Sequence, residues 1–279
     1  FESFFPATNG DTIMNPKNLF RRALVLAALS AAFVGAHADT LDNIRAAKKI
    51  RVSIDLAVPP SGMTDASMKP TGSDYDVAVL LAKDLGVALE VVPTVGATRI
   101  PNLQTGKADI IISTLAWTPE RAKVVDYSIP YAPQISLVGG VKGINVKSMA
   151  DLAGKSVAVN RSTTQDTDLT QNAKGATVVR YDDDAGVITA VVTGQADLVG
   201  TSNALFQTMK EKAPNRNLEQ KFVLRVNDLG IGVRKDDAKL LAWVNSWVKA
   251  NHANGKLNEI FKKYHGAEIP KDVVEKWVK

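Results

Sequence analysis

The pentapeptide Thr105-Gly106-Lys107-Ala108-Asp109 returns almost unchanged as Thr193-Gly194-Gln195-Ala196-Asp197, and this repetition constrains the fold more than any other feature of the chain. An apolar run follows each copy, Ile110-Ile111-Ile112 and then Leu198-Val199. An apolar-periodic stretch precedes each, Ile100 to Leu103 and Val187 to Val192. Such a pattern reads as a helix end, a glycine stop and a buried strand. The two acids lie 88 residues apart, from 109 to 197, which is too far for a solenoid repeat and fits two similar α/β lobes. If both strands end at one crevice between lobes, the residues just past them line a binding site. A glycine between helix and strand is common, so either copy alone says little.

The 279 residues accommodate one large domain or two small ones at about 100–200 residues per domain. The N-terminus is expected to lie outside the fold. Met14-Asn15-Pro16-Lys17 is followed by Arg21 and Arg22, and residues 23–34 contain only Ala, Leu, Val, Phe and one Ser. Ala36-His37-Ala38 then supplies a small-x-small cleavage signal. Residues 14–38 therefore read as a secretory signal peptide cleaved after Ala38. A retained membrane anchor is the alternative, but the run falls short of the roughly 18–20 apolar residues that cross a bilayer. Residues 1–13 precede this start, show no periodicity and read as extra sequence. The chain has no Cys, which excludes disulfides, thiol chemistry, Cys-ligated metals and a lipid-modified Cys after the signal. A free periplasmic protein, expected as a monomer, fits that combination. The net charge of +5 comes from bases scattered among acids. Without a basic block carrying interleaved aromatics, nucleic acid is not an expected partner.

Beyond the signal, strands alternate with helices, which argues α/β lobes. Strands are predicted at 50–54, 87–92, 109–113, 135–138, 156–160, 177–181, 197–200, 221–226 and 230–234, with 55–71 as loop. Helices are predicted at 41–48, 76–85, 120–125, from about 165 to 172, and at 185–193, 203–213, 236–254 and 256–264. The pattern restarts near 142, and the second lobe holds enough strands by about 227. Lobe 1 is thus assigned to 39–140 and 229–279 and lobe 2 to 141–228. The crossings fall near 138–142 and 226–230, both Gly-bearing as suits a hinge.

Several residues stand out on chemistry. Arg121 follows the strand-end run Ser113-Thr114-Leu115-Ala116-Trp117, so it either faces a cleft or is a solvated helix Arg. A guanidinium can fork two hydrogen bonds onto a carboxylate. Ser162-Thr163-Thr164-Gln165 precedes a helix, where free N–H groups bind anions; a plain N-cap is the other reading. Asp55, ending the first strand, is either a turn or capping acid or a ligand contact. Asp182-Asp183-Asp184 reads as solvated loop acids, and His252 and His265 lack spaced partners, so neither a metal nor a cofactor is expected. Trp117 reads as core or as a pocket wall, with core preferred.

Four stretches together carry a resemblance covering about residues 40–270. They are Gly72-Ser73-Asp74-Tyr75-Asp76-Val77, the run from Thr118-Pro119-Glu120-Arg121 to Asp126-Tyr127-Ser128, the run from Asp151-Leu152-Ala153-Gly154 to Val159, and the repeated pentapeptide. The chain resembles periplasmic substrate-binding proteins of the polar amino-acid ABC transporter family, which implies a two-lobed type II periplasmic-binding fold. The resemblance further implies that Arg121 grips a ligand α-carboxylate and that Ser113, Thr114 and Ala116 touch the ligand, Ala116 through its backbone alone. Ser162, Thr163, Thr164 and Gln165 would close on the same carboxylate. The family's usual acid for the ligand ammonium falls at Ser202, followed by Asn203, so a neutral hydroxyl stands where an ion pair is wanted; Asp55 matches another ligand-facing position. Val58 and Ser73 stand where relatives often carry aromatics. The implied function is capture of a polar amino acid or related small carboxylate by lobe closure and delivery to a membrane permease. The rival is a periplasmic enzyme on the same fold, like the cyclohexadienyl and arogenate dehydratases. A receptor sensor domain would need an attached membrane helix or signalling domain.

Overall fold

The computed structural model describes residues 39–279; the signal peptide read at 14–38 and the segment 1–13 lie outside the described residues. Helix α1 (Thr40–Ala47) turns Leu41 and Ile44 inward. It leads into β1 (Lys49–Ile54), whose Ile50, Val52 and Ile54 are completely buried. The stretch read as loop contains a small hairpin, β2 (Met63–Thr64) and β3 (Pro70–Thr71). Helix α2 (Ser73–Leu85) stops at Gly86, whose φ of 75° is open to glycine without steric cost. Then come β4 (Ala88–Pro93), α3 (Arg99–Gln104), β5 (Ile110–Ile111), the single turn α4 (Pro119–Ala122) and β6 (Val125–Tyr127).

The chain next builds β7 (Ala132–Val141), β8 (Ser156–Asn160), α5 (Thr164–Asn172), β9 (Thr177–Tyr181), α6 (Asp184–Thr193), β10 (Leu198–Ser202), α7 (Asn203–Lys212) and β11 (Leu218–Leu229). It returns with β12 (Gly232–Arg234) and closes with α8 (Ala238–Ala253), α9 (Lys256–His265) and α10 (Lys271–Val278). The last helix was not expected from the sequence.

Two five-stranded sheets organise these elements. The first has the order β4-β1-β5-β12-β6, with β12 antiparallel to its neighbours. The second has the order β11-β7-β10-β8-β9, with β10, β8 and β9 parallel. Ile50, Val52, Ile54, Leu81, Ile110, Val244 and Trp247 share the first core. The second sheet is covered on both faces, by Leu137, Val199, Phe206 and Met209 on one and by Val138, Val157, Val159 and Leu169 on the other.

The expected lobe boundary needs correction. β7 pairs with β11 from Ala132 to Val141 and with β10 from Ser136 to Gly140, so residues 132–140 belong with the second sheet rather than with lobe 1. The first crossing therefore lies between Tyr127 and Ala132, not near 138–142, and the return lies between Leu229 and Gly232. Gly139 and Gly140 are paired mid-strand residues instead of hinge glycines. A Cβ on Gly139 would lie 2.2 Å from Phe206 Cε2, so the missing side chain is what seats that ring.

The two pentapeptides fold alike. Gly106 and Gly194 adopt φ of 72° and 83°. Ala108 N donates to Asn102 O and Ala196 N to Ala190 O, both at 2.9 Å, closing each helix end with the same long-range bond. Each terminal acid then takes an arginine, Asp109 from Arg51 at 2.6 Å and Asp197 from Arg216 at 2.8 Å. The strands that follow, β5 and β10, run to one cavity.

Candidate functional site

Four helices start at this cavity, and each is capped by the residue before it. Thr118, Thr163, Asp183 and Ser202 accept from the backbone N–H of Arg121, Asp166, Gly186 and Leu205 respectively. Capping satisfies the first free amides of a helix and fixes the turn that presents neighbouring side chains. The cavity encloses about 40 Å³ and is lined from the first sheet's side by Val58, Arg99, Thr114, Ala116 and Arg121. Gln134, Asn160, Thr163, Thr164, Gln165, Asp184, Gly200, Thr201, Ser202 and Leu205 line it from the second.

Arg121 ties the two sides together. Nη1 donates to Ala116 O at 2.9 Å and Nη2 to Ser162 O at 2.8 Å. Burial, then the nearby positive charges of Arg99 and Arg225, lower its pKa to about 10. It remains charged at neutral pH, and an incoming anion would relieve that crowding. Arg99 is only 5% exposed. Its Nη1 donates to Ser113 O at 2.7 Å and its Nε to Gly96 O at 3.3 Å, so α3 anchors a second guanidinium at the cavity wall.

The loops that shape the cavity carry backbone strain. Thr114 and Ser162 sit at φ of 43° and 61°, a region that side-chain-bearing residues seldom occupy. Asp74 holds the first: its carboxylate accepts from Thr114 N and from Tyr131 Oη, both at 2.8 Å. Burial raises this carboxyl to about 6 against those two bonds. Asp166 holds the second, accepting from Ser162 N at 3.1 Å.

The structure brings seven of the expected residues to the cavity: Thr114, Ala116, Arg121, Thr163, Thr164, Gln165 and Ser202. Ser202 lends its hydroxyl to Leu205 N at 3.2 Å, and Gln165 Nε2 donates to Ser136 Oγ at 3.0 Å. Four expected residues do not line it. Ser113 is 1% exposed and accepts from Asp55 N. Asp55 turns its carboxylate to Ala57 N, the turn-acid reading, and burial raises its pKa. Ser162 contributes its carbonyl to Arg121. Asn203 lies instead along a separate groove with Ser73, which hydrogen-bonds His265 Nε2 at 3.1 Å. Trp117 is 53% exposed, which corrects the preference for core.

Sequence reasoning missed Arg99, Gln134, Asn160, Thr201 and Asp184. The acid triplet is not uniformly solvated: Asp182 pairs with Arg161 at 2.9 Å, Asp183 caps α6, and Asp184 lines the cavity. Shielded from bulk water, the Asp184 carboxyl is pushed up to about 7, against a 2.9 Å hydrogen bond from Asn160 Nδ2. Among the described residues, no group of three or more His, Asp or Glu side chains is placed to hold a metal ion, and no helix is long and apolar enough to cross a membrane.

Known proteins share this architecture. The ABC transporter glutamine-binding protein of Bacillus subtilis (strain 168) is 31% identical over 233 residues, covering 81% of this chain and 84% of its own. The crystal structure of a mutant of ArgBP from T. maritima matches with a TM-score of 0.77 at 32% identity, over 82% of this chain and 100% of that one. An ancestral amino acid-binding protein, a precursor of cyclohexadienyl dehydratase, matches at TM-score 0.74 and 34% identity, over 81% and 99%. The fold is thus that of the type II periplasmic binding proteins. Residues 50–267 match the bacterial extracellular solute-binding proteins, family 3, and the chain belongs to that family.

Proposed function

We propose that this protein is the periplasmic substrate-binding component of an ABC transporter, capturing a small polar amino acid or related carboxylate and delivering it to a membrane permease. The observation that carries the reading is the position of Arg121. It is a charged guanidinium at a cavity wall, crowded by Arg99 and bonded to backbone of both lobes. A ligand carboxylate placed there meets a preformed fork. Only the closed form offers the ligand contacts from both sides, so ligand biases closure.

The relatives support the transporter reading, since the Bacillus subtilis protein is the glutamine-binding protein of an ABC transporter. The dehydratase precursor supplies the rival. The test is thermal shift and calorimetry of purified residues 39–279 against amino acids, amines, keto acids and carboxylates. One ligand bound stoichiometrically and recovered unchanged supports transport. Turnover of prephenate or arogenate would replace it with an enzyme.

A further inference from the structure

The family resemblance implies an acid at position 202 to meet the ligand's ammonium. This chain has Ser202, whose hydroxyl is already engaged by Leu205 N. We propose that Asp184, with Asn160 Oδ1 and Thr201 Oγ1, forms a cation subsite that takes the ligand's primary ammonium group. The inference rests on the amino-acid-binding reading above and assigns the end of the ligand opposite Arg121.

Three observations carry it. The parallel pairing of β9 with β8 sets Tyr181 beside Asn160 and so brings the turn into α6 to the cavity. There Asn160 Nδ2 donates to Asp184 Oδ2 at 2.9 Å, which leaves the amide oxygen for another partner. Asn160 is 2% exposed and Thr201 4%, yet among the described residues Asn160 Oδ1 and Thr201 Oγ1 have no hydrogen-bond partner, although buried polar atoms are nearly always paired. Both residues line the cavity with Asp184. An ammonium carries three donors, and this corner offers a carboxylate, an amide oxygen and a hydroxyl. The other two acids of the triplet are accounted for, Asp183 by its cap and Asp182 by Arg161. Arg121 supplies the complementary charge, so a zwitterion finds a carboxylate site and an ammonium site in one cavity.

The test compares amino acids with analogues lacking only the α-amino group. L-serine, L-cysteine, L-glutamine and L-arginine are titrated against 3-hydroxypropionate, 3-mercaptopropionate, 4-carbamoylbutyrate and 5-guanidinopentanoate. Wild type, Asp184→Asn, Thr201→Val and Arg121→Ala are measured by calorimetry, with melting curves to establish folding. The wild type is expected to prefer at least one amino acid over its analogue. Asp184→Asn should lose about 30- to 100-fold for that amino acid, as expected for a charged hydrogen bond, and little for the analogue. Thr201→Val should shift the same preference by a smaller factor, and Arg121→Ala should weaken both ligands. If Asp184→Asn and Thr201→Val keep the wild-type preference while Arg121→Ala abolishes binding, the subsite is wrong and the transporter reading stands. If no amino acid in the wider screen binds the wild type, the amino-acid reading fails and takes the subsite with it.

Discussion

Arg121 Nη2 donates to the backbone carbonyl of Ser162 across the cleft at 2.8 Å. The donor belongs to the first lobe and the acceptor to the second, where Asp166 holds the strained turn. One side chain thus latches the two lobes, and in the proposed function it also clamps the ligand. Arg121→Ala is expected to weaken a carboxylate ligand by about 100-fold or more, since hydrogen bonds to charged groups contribute about 1.5–3 kcal/mol each. Arg121→Lys should recover only part, because an ammonium cannot reproduce the planar fork. Calorimetry gives the affinities. Small-angle scattering of the ligand-free variants should show a more open particle.

The buried carboxyls set a pH response with a definite sign. Asp184 is pushed to about 7 mainly by burial; Asp55 and Asp183 add to the rise, while Asn160 and Arg99 oppose it. Asp74 is pushed to about 6. Both folded values exceed the reference of 3.8, so the folded state holds protons that the unfolded chain has released. Stability from these two groups therefore falls as pH rises from about 4 to 7 and levels off above that. Asp184→Asn should remove part of the fall, making the ligand-free variant more stable than wild type at pH 8. Melting temperature is the readout, at about 2–4 °C per kcal/mol for a chain of this size. An ammonium ligand needs the ionised carboxylate, so wild-type affinity should decline below pH 7, approaching about tenfold per pH unit.

Gly139 is required by a neighbour rather than by a turn. With Phe206 Cε2 2.2 Å from the place of a Cβ, Gly139→Ala should destabilise by about 1–3 kcal/mol through overpacking. A second change, Phe206→Leu, should return part of that loss. Denaturant melts of the single and double variants check the coupling; strict additivity would refute the contact.

The twin acids should differ in weight although their sequences match. Asp109 has a side chain 7% exposed and accepts from Arg51 N, Nε and Nη2. The Asp197 side chain is 59% exposed. Asp109→Ala should cost about 1–3 kcal/mol, because it removes three hydrogen bonds from a part-exposed arginine to a buried carboxylate, whereas Asp197→Ala should cost under about 1 kcal/mol. Chemical denaturation distinguishes the two.

Much of this molecule was legible in its sequence where the signal was local. The pentapeptides announced their helix stops and strands, and the family resemblance pointed onward from them to Thr114, Ala116, Arg121 and Ser202. What stayed hidden depended on distant partners. β7 looked like the end of a lobe because Gly139-Gly140 resembles a loose joint. Its partner strand β11 lies some eighty residues on, and Phe206, which needs the glycine, lies elsewhere again. Asp184 was indistinguishable from Asp182 and Asp183 by composition; only the pairing of β9 with β8 decides which acid turns inward. Arg99 carried a faint local cue as a lone charge before the apolar Ile100 to Leu103, but its carbonyl partners come from the strand end beyond β5.

The long strands β7 and β11 have a mechanical consequence. Their ladder ends with Ala132 opposite Leu229, and Tyr131 N donates to Leu229 O at 2.8 Å beside it. Both connections to the first sheet therefore leave side by side, like two knuckles threaded on one pin. Adjacent crossings of this kind confine the change of backbone angle in a hinge closure to one narrow site. In the proposed function, closure on a solute would reach the outer faces as a change of angle between the lobes. Chemical identity would then be read inside the cavity, while a docked permease would meet only two states, open or shut.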